Sequence, residues 1–337
     1  MLVTFALFSF NQENFIQEAV ESALAQTYES LEIIISDDCS ADKTFEIIQE
    51  IVAGYTGLHK VIINKNMKNM GISKHVRYID EIAKGEIIIH AAGDDISYPD
   101  RSSKLVQAFL NEKIRPSLLM SNAHIINESG DIIGLLNKPL EIIRELNTDP
   151  MDSPLTGGAC TFAISKELVD AFAPPLDGIY GEDRLLMFRA KLLNGTLYIP
   201  DILVKYRISR FGVWSSAFMV NLEIKDLLQR QESRARDFLL FFQQASADIK
   251  SVRHTNSFNI LARLEELSRM KNNWVGVMSN GLLGSSVCLF KELKHGSLTF
   301  ELFKIYTFRW FPIIRTLKLI FSSRFKRTNS DPYTWLR

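Results

Sequence analysis

The 337-residue sequence predicts an α/β fold with a mostly parallel sheet flanked by helices, followed by a helical C-terminal region. Three observations carry this prediction. Short apolar, β-rich runs alternate with helix-periodic segments through the first third of the chain, which is typical of βαβ units. Polar clusters follow three of those runs. Beyond about residue 214 the pattern is helical.

The first third of the chain predicts four strands, each followed by a helix. The strand runs are LVTFALFSF, LEIIIS, HKVIIN and EIIIHAA. Apolar residues recur at helical spacing in NFIQEAVESALAQ, KTFEIIQEIVAGY, SKHVRYIDEIAKG and RSSKLVQAFLNEK. We expect Gly85 to end the third of these helices as a C-cap glycine.

The pattern loosens from about residue 117. SLLMSNAHIIN and DIIGLLN predict strands around a turn, and a Pro/Gly-containing loop follows at residues 149–158. AISKELVDAF and DRLLMFRAKLLNG predict helices, the second with Gly195 beyond its end, and TLYIPDILVKYRIS predicts strands.

Composition excludes several classes of protein. Lys+Arg and Asp+Glu balance at 39 each, which argues against a surface built for nucleic acid. The three cysteines lie far apart and form no zinc-binding spacing, which favours a reducing compartment. We find neither a signal peptide nor the roughly 18 consecutive uncharged apolar residues of a membrane span, so we expect a soluble fold.

The polar clusters predict a ligand site, because ligands of open parallel sheets bind at the carboxyl ends of the strands. Glycine-rich phosphate loops are missing from the sequence. Asp94 and Asp95 follow the fourth strand and are suited to hold Mg²⁺ or Mn²⁺ with the phosphates of a nucleotide. The alternative is a pair of turn aspartates beside the next helix. We expect Gly93 to leave room for a diphosphate.

The second cluster, SDDCSADKT, allows two interpretations of its role. A carboxylate at the end of a strand can accept a hydrogen bond from a ribose or a base. The other reading is that these residues start a helix, with Ser40 as its N-cap.

Together these motifs resemble glycosyltransferase family 2 with the GT-A fold. The resemblance runs in order through FALFSFNQENFIQEAVESALAQTYESLEIIISDDCSADKT, NKNMKNMGISK, AKGEIIIHAAGDDISYPDR and GEDRLLMFRAKLLNG, over about residues 2–210. It implies transfer of a sugar from a nucleoside-diphosphate sugar to an acceptor hydroxyl, with inversion at the anomeric carbon.

The resemblance also implies roles for individual donor-site residues. Asp38, with Asp37 beside it, corresponds to the aspartate that contacts the nucleoside. Ser9 and Phe10 stand where the family has Ser-Tyr, and Phe10 retains the stacking surface without the phenol. The family often carries an arginine after the loop that follows the third strand; Lys74 is the candidate to replace it in donor binding, with Arg77 as its alternative.

For the metal and the base, the resemblance implies further carboxylates. Asp95 corresponds to the metal ligand, and Asp94 to its neighbour toward the sugar or ribose. Asp183 corresponds to the catalytic base, with Glu182 as second candidate. The alternative role for Asp183 is a first-turn acid stabilised by the helix dipole.

Two positions depart from the family pattern. Ala92 replaces the first acid of the metal motif, and Ser209 stands where many relatives carry histidine. These departures leave a degenerate, scaffolding member as one alternative function. A nucleotidyltransferase is another.

We predict a glycosyltransferase domain over residues 1–212, with a nucleotide-sugar half (1–116) and an acceptor half (117–212), and a helical region over 213–337. Residues 291–337 carry ten Lys/Arg against three acids and are rich in aromatic residues. This composition favours binding to a membrane surface, and the alternative is packing on the domain or on a second copy. The expected acceptor is a glycan or lipid-linked glycan in surface polysaccharide synthesis, and the expected location is cytoplasmic, peripheral on the inner membrane face.

Overall fold

A computed structural model describes residues 1–136, 158–179, 181–209 and 224–252. The strands are β1 (Val3–Ser9), β2 (Leu31–Asp37), β3 (Lys60–Lys65), β4 (Ile87–Ala92), β5 (Ile96–Ser97), β6 (Leu118–Ile126), β7 (Ile132–Leu135), β8 (Phe162–Ser165) and β9 (Thr196–Arg207). The helices are α1 (Ile16–Leu24), α2 (Thr44–Ala53), α3 (Ile72–Ile82), α4 (Arg101–Asn111), α5 (Lys166–Ala171), α6 (Glu182–Leu192) and α7 (Ile224–Ser251), and a 3₁₀ turn spans Ala159–Thr161.

The described strands form one mixed sheet in the order β3-β2-β1-β4-β8-β6-β9-β5, with β7 paired to β6. The pairs among β3, β2, β1 and β4 are parallel, as the alternating pattern predicts. Beyond β4 the sheet is mixed: β8 is antiparallel to both β4 and β6, whereas β6 and β9 are parallel. The carboxyl ends of β1, β2, β3 and β4 therefore lie along one edge.

Strand β8 is absent from the sequence prediction. Three of its four residues, Ala163 to Ser165, were included in the predicted helix AISKELVDAF. The chain passes directly from strand to helix because Ser165 ends β8 and caps α5, its Oγ accepting a hydrogen bond from Leu168 N at 3.2 Å. The two-residue strand β5 was also too short to predict.

Two apolar cores cover the two faces of the sheet. Alternate residues of β1, such as Phe5 and Leu7, face α1, α2 and α4. Ala6 of the same strand lies in the other core, with α3, α5, α6 and α7. This alternation explains why these strands are apolar throughout: both faces are buried.

Glycines 85 and 195 have different roles. Helix α3 ends at Ile82, and Gly85 does not adopt the left-handed conformation of a C-cap glycine, so that expectation was wrong. A Cβ at Gly85 would overlap the Thr4 backbone, so glycine allows close approach to β1. Gly195 follows α6 with φ = +83° and donates its N–H to Ala190 O at 2.8 Å, which ends the helix as expected.

Helix α7 packs on the second core through Phe241, Phe242, Ala245 and Ile249. Among the described residues, no helix combines the length and apolar character that crossing a membrane requires. Residues 291–337, predicted to bind a membrane surface, lie outside the described residues. The division at residue 212 and the membrane contact stay predictions.

Candidate active site

The loops after β1 and β2 are joined by reciprocal hydrogen bonds. Asn11 donates its N–H to Ser40 Oγ at 2.8 Å, and its Oδ1 accepts from Ala41 N at 2.9 Å. Gln12 N donates to Thr44 Oγ1 at 2.7 Å. Asn11 adopts φ = +52°, a left-handed conformation that asparagine tolerates. Sequence reasoning missed this connection, because single Asn, Ser and Thr residues are common in any loop.

The Asp37 carboxylate stabilises the junction between the loops after β1 and β2 through hydrogen bonds. Its side chain is fully buried. Oδ2 accepts from Ser40 N at 2.8 Å, and Oδ1 accepts from the hydroxyls of Ser40 and, at 3.3 Å, Ser9. The expectation that Ser40 caps α2 was wrong, because Lys43 occupies the N-cap position and Ser40 binds Asp37 instead. The carboxylate of Asp37 is thus occupied by the protein itself.

Asp38 organises the loop between β3 and α3. Oδ1 accepts from Asn66 Nδ2 at 2.8 Å and from Met70 N at 2.9 Å, and Oδ2 accepts from Gly71 N at 3.0 Å. Beside this rim, the Phe10 side chain is 45% exposed directly after β1. Its ring face is therefore accessible for stacking.

The acid pair after β4 has fewer partners. Asp95 is 5% exposed; its Oδ1 accepts from Arg207 N at 2.8 Å, and its Oδ2 is buried without a hydrogen-bond partner. Burial and the neighbouring charge of Asp94 raise the pKa of Asp95 well above its ordinary value. Burial likewise raises the pKa of Asp94, although Arg207 opposes the shift.

These two carboxylates fit a divalent cation. A nearby positive charge would relieve both the burial cost and the mutual repulsion, and the unpartnered Oδ2 of Asp95 is a free oxygen ligand. No cluster of three or more His, Cys, Asp or Glu suited to a metal occurs within the described ranges. The pair therefore fits an ion that takes one or two carboxylates and completes its shell with phosphate oxygens and water, as Mg²⁺ does.

Arg207 fixes the backbone of the acid loop. Its Nε donates to Asp94 O at 2.8 Å, and Nη1 donates to Asn127 O at 3.1 Å and to Glu128 O at 2.9 Å. Nη2 forms an ion pair with Glu18 of α1. One buried arginine thus links β9, the β6–β7 turn, α1 and the acid loop.

Arg101 likewise holds residues on either side of the acid loop, from a fully buried position. Its guanidinium is completely buried and donates to Ser97 Oγ at 2.9 Å, His90 O at 2.8 Å and Cys160 O at 2.7 Å. Burial lowers its pKa to about 10. The sequence offered no signal for either arginine, because their partners are mostly backbone carbonyls distant along the chain.

The space above Gly93 is filled by protein. A Cβ at this position would overlap Gln12 Oε1 and crowd Ser9 Cβ and Ile16 Cδ1 at 3.0 Å. The expectation that Gly93 leaves room for a diphosphate was therefore wrong. Its small size admits the β1–α1 loop against the end of β4.

Asp183 lies in the first turn of α6. It is 8% exposed, its Oδ1 accepts from Arg184 N at 2.7 Å, and burial raises its pKa. Burial raises the pKa of the Tyr206 phenol, and the charges of Asp94, Asp95 and Asp183 add to the shift. Asp183 thus acts on the same tyrosine as the distant acid pair after β4, and sequence reasoning did not single out this tyrosine.

Glu182 lies in different surroundings from Asp183. It lines a cavity of about 30 Å³ between α3, α5 and α6, with Ser73, Arg77 and Asp80. Burial and the adjacent charge of Asp183 raise its pKa to about 8.

The two basic candidates are both engaged. Lys74 Nζ lies 2.8 Å from Asp177 Oδ1, and both side chains are largely exposed, at 47% and 81%. Arg77 pairs with Glu81 at 2.7 Å and donates to Val169 O at 2.8 Å.

Comparison with known proteins adds to this geometry. Residues 4–162 match the family model "Glycosyl transferase family 2". An uncharacterized protein of Mycobacterium tuberculosis is 29% identical over 216 residues, 62% of this chain and 60% of that protein. UDP-Glc:alpha-D-GlcNAc-diphosphoundecaprenol beta-1,3-glucosyltransferase WfaP of Escherichia coli is 31% identical over 141 residues, 42% of this chain and 53% of WfaP.

Among solved structures, the mannosyltransferase PcManGT from Pyrobaculum calidifontis, in complex with GDP-Man and Mn²⁺, has a TM-score of 0.56 at 15% identity. The match covers 99% of this chain and 82% of PcManGT. At this identity the likeness establishes the GT-A fold alone. The matches to the curated relatives named above span between about half and three fifths of their length.

Proposed function

Because residues 4–162 match the model of glycosyltransferase family 2, we propose that the protein transfers a sugar from a nucleoside-diphosphate sugar to an acceptor hydroxyl with inversion. The observation that carries this proposal is the acid pair at the end of β4, in which Asp95 Oδ2 is buried without a hydrogen-bond partner. With Asp183 in the first turn of α6, it supports a site that combines donor-binding acids with a base. Such a site supports direct transfer.

The donor is held on the rim formed by the first four strands. Phe10 stacks on the base of the nucleoside. Asp37 and Asp38 hold the loops around the nucleoside in place through their hydrogen bonds, so these two carboxylates act on the nucleoside partly through the loops. Lys74 reaches a phosphate only by leaving Asp177. That exchange costs little, since exposed ion pairs contribute about 0–1 kcal/mol.

Asp95 and Asp94 are the residues that would hold Mg²⁺ or Mn²⁺. A bound cation supplies Lewis-acid neutralisation of the departing nucleoside diphosphate. The protein's own contribution is to hold the acid loop in place: Arg207 N donates to Asp95 Oδ1, Arg207 Nε donates to Asp94 O, and Arg101 donates to His90 O at the preceding strand. Preorganisation of this kind is usually the largest catalytic term.

Asp183 accepts the proton of the acceptor hydroxyl as the hydroxyl oxygen attacks the anomeric carbon. Its raised pKa makes it a stronger base than an ordinary aspartate. A single displacement with no covalent intermediate inverts the anomeric centre. Glu182 is the weaker candidate, because it lines the separate cavity.

The biological setting that we propose is synthesis of a surface glycan on a lipid-linked acceptor at the inner face of the membrane. The name of WfaP, whose acceptor is a diphosphoundecaprenol glycan, supports this class of acceptor. The basic, aromatic composition of residues 291–337 is consistent with work at a lipid surface.

A ligand screen followed by product analysis tests the function. We expect one nucleoside-diphosphate sugar to raise the melting temperature in the presence of Mn²⁺ or Mg²⁺, and transfer to give a product of inverted anomeric configuration. A retained configuration would contradict the mechanism. If no nucleoside-diphosphate sugar is bound or turned over, the scaffold alternative replaces the enzyme.

A further inference from the structure

Helix α7 is joined to α6 by two ion pairs of the same type. Arg184 Nη2 lies 2.6 Å from Asp237 Oδ2, and Arg189 Nε lies 2.7 Å from Asp248 Oδ2. The two arginines are five residues apart, or about 7.5 Å along α6. Only the first pair lies next to Asp183.

The first pair holds the start of α6 at two points. Asp237 Oδ2 binds the Arg184 guanidinium, and Oδ1 accepts from Gly181 N at 3.3 Å. The guanidinium also lies over the ring of Phe241, with Cζ 4.9 Å from its centroid. A Cβ at Gly181 would overlap that guanidinium. The turn from Gly181 to Arg184 is therefore closely constrained by α7.

Asp183 lies inside this constrained turn. A general base has to stay within hydrogen-bond reach of the proton that it removes, so small displacements are costly. We propose that Asp237 is a positioning residue for the base Asp183, so that a helix beyond the matched family region completes the site. This inference rests on the proposed function.

The charges around Asp183 provide an independent readout. It is flanked by Glu182 and Arg184 on α6, by Asp237 on α7 and by Tyr206 on β9. The negative charge of Asp237 raises the pKa of Asp183, and Arg184 lowers it. Neutralising Asp237 therefore lowers the pKa of the base, and Arg184, relieved of its partner, reinforces that direction.

Asp248 supplies the matched control. It also binds an arginine of α6 from α7, through two hydrogen bonds of 2.7 and 3.1 Å. Both Asp248 and Arg189 are buried. Loss of this pair should destabilise the protein at least as much as loss of the Asp237 pair, while leaving the turn around Asp183 in place.

The experiment compares Asp237→Asn with Asp248→Asn in the full-length protein. Amide hydrogen exchange is measured for residues 181–185, and release of nucleoside diphosphate from the donor gives kcat and KM. For Asp237→Asn we expect exchange about tenfold faster, kcat at least tenfold lower, donor KM within twofold, and an acidic limb of the pH–kcat profile at lower pH. For Asp248→Asn we expect a lower melting temperature and little change in the other quantities.

The proposal is overturned if Asp237→Asn keeps kcat and exchange within twofold of wild type, or if Asp248→Asn changes them equally. If Asp237→Asn does not fold, Asp237→Glu takes its place; it keeps the charge and displaces the carboxylate by one methylene, and the same loss of kcat is expected. If the wild type turns over no donor, the proposed function fails, and the exchange comparison still decides whether Asp237 holds the turn.

Discussion

The protein contains two Asp-Asp pairs, one at the end of β2 and one after β4, the two strands that flank β1, and their hydrogen bonding differs. Asp37 and Asp38 accept six hydrogen bonds between them, from backbone N–H groups, two hydroxyls and an amide. Asp95 has one oxygen without a hydrogen-bond partner, and burial raises the pKa of both Asp94 and Asp95. A saturated carboxylate stabilises structure, whereas an undersaturated one is available to a ligand.

The largest expected effect comes from Asp183, whose pKa burial raises, as it does for Asp94 and Asp95. Asp183→Asn removes the proton acceptor and keeps the shape of the side chain. We expect kcat for transfer to fall about 10²–10⁴-fold, with donor KM nearly unchanged. Steady-state kinetics with saturating acceptor check this. A comparable loss in Glu182→Gln with none in Asp183→Asn would assign the base to Glu182.

Asp95→Asn sharpens the contrast between the pairs. We expect kcat to fall on the order of 10²–10³-fold, because a preorganised electrostatic group is lost. Since burial raises the pKa of Asp95, its charge destabilises the metal-free fold above the unfolded pKa, and the neutral variant should melt higher at pH 7. Differential scanning calorimetry without metal measures this. A lower melting temperature would place Asp95 among the structural acids.

Asp37→Ala, in contrast to Asp95→Asn, should lower the stability of the fold. Removing this carboxylate leaves the Ser40 N–H without its partner in a buried junction, which costs about 1–3 kcal/mol of unfolding free energy. Urea denaturation provides the measurement, and Ser9→Ala, which removes a hydroxyl that donates at 3.3 Å to Asp37 Oδ1 and to Ser36 O, serves as the milder control. Unchanged stability in Asp37→Ala would contradict the structural role of the Asp37–Asp38 pair.

A further effect concerns Glu182 and depends on pH. Its folded pKa of about 8 lies above the ordinary value of 4.5, so the native state favours the neutral acid. Stability from this group is complete below about pH 4.5 and is lost progressively as the pH rises toward 8. Glu182→Gln should therefore melt higher than wild type at pH 8, and the difference should vanish near pH 4. An equal difference at both pH values would contradict the shift.

Sequence patterns predicted the α/β architecture because the strands are buried on both faces and the helices are amphipathic. They could not distinguish the two Asp-Asp pairs, since the partners of Asp38 lie in another loop and those of Asp95 include the backbone of Arg207. They also missed β8, whose four residues merge into α5. The features that could not be predicted depend on contacts between residues that are distant along the chain.

The position of α7 bears on the order in which the molecule can be completed during synthesis. The core on the α1 side of the sheet closes with residues up to Leu203. The opposite core includes Phe241, Phe242, Ala245 and Ile249. A nascent chain can therefore complete the core on the α1 side before α7 is made, whereas the opposite core, already lined by α3, α5 and α6, still lacks the α7 side chains.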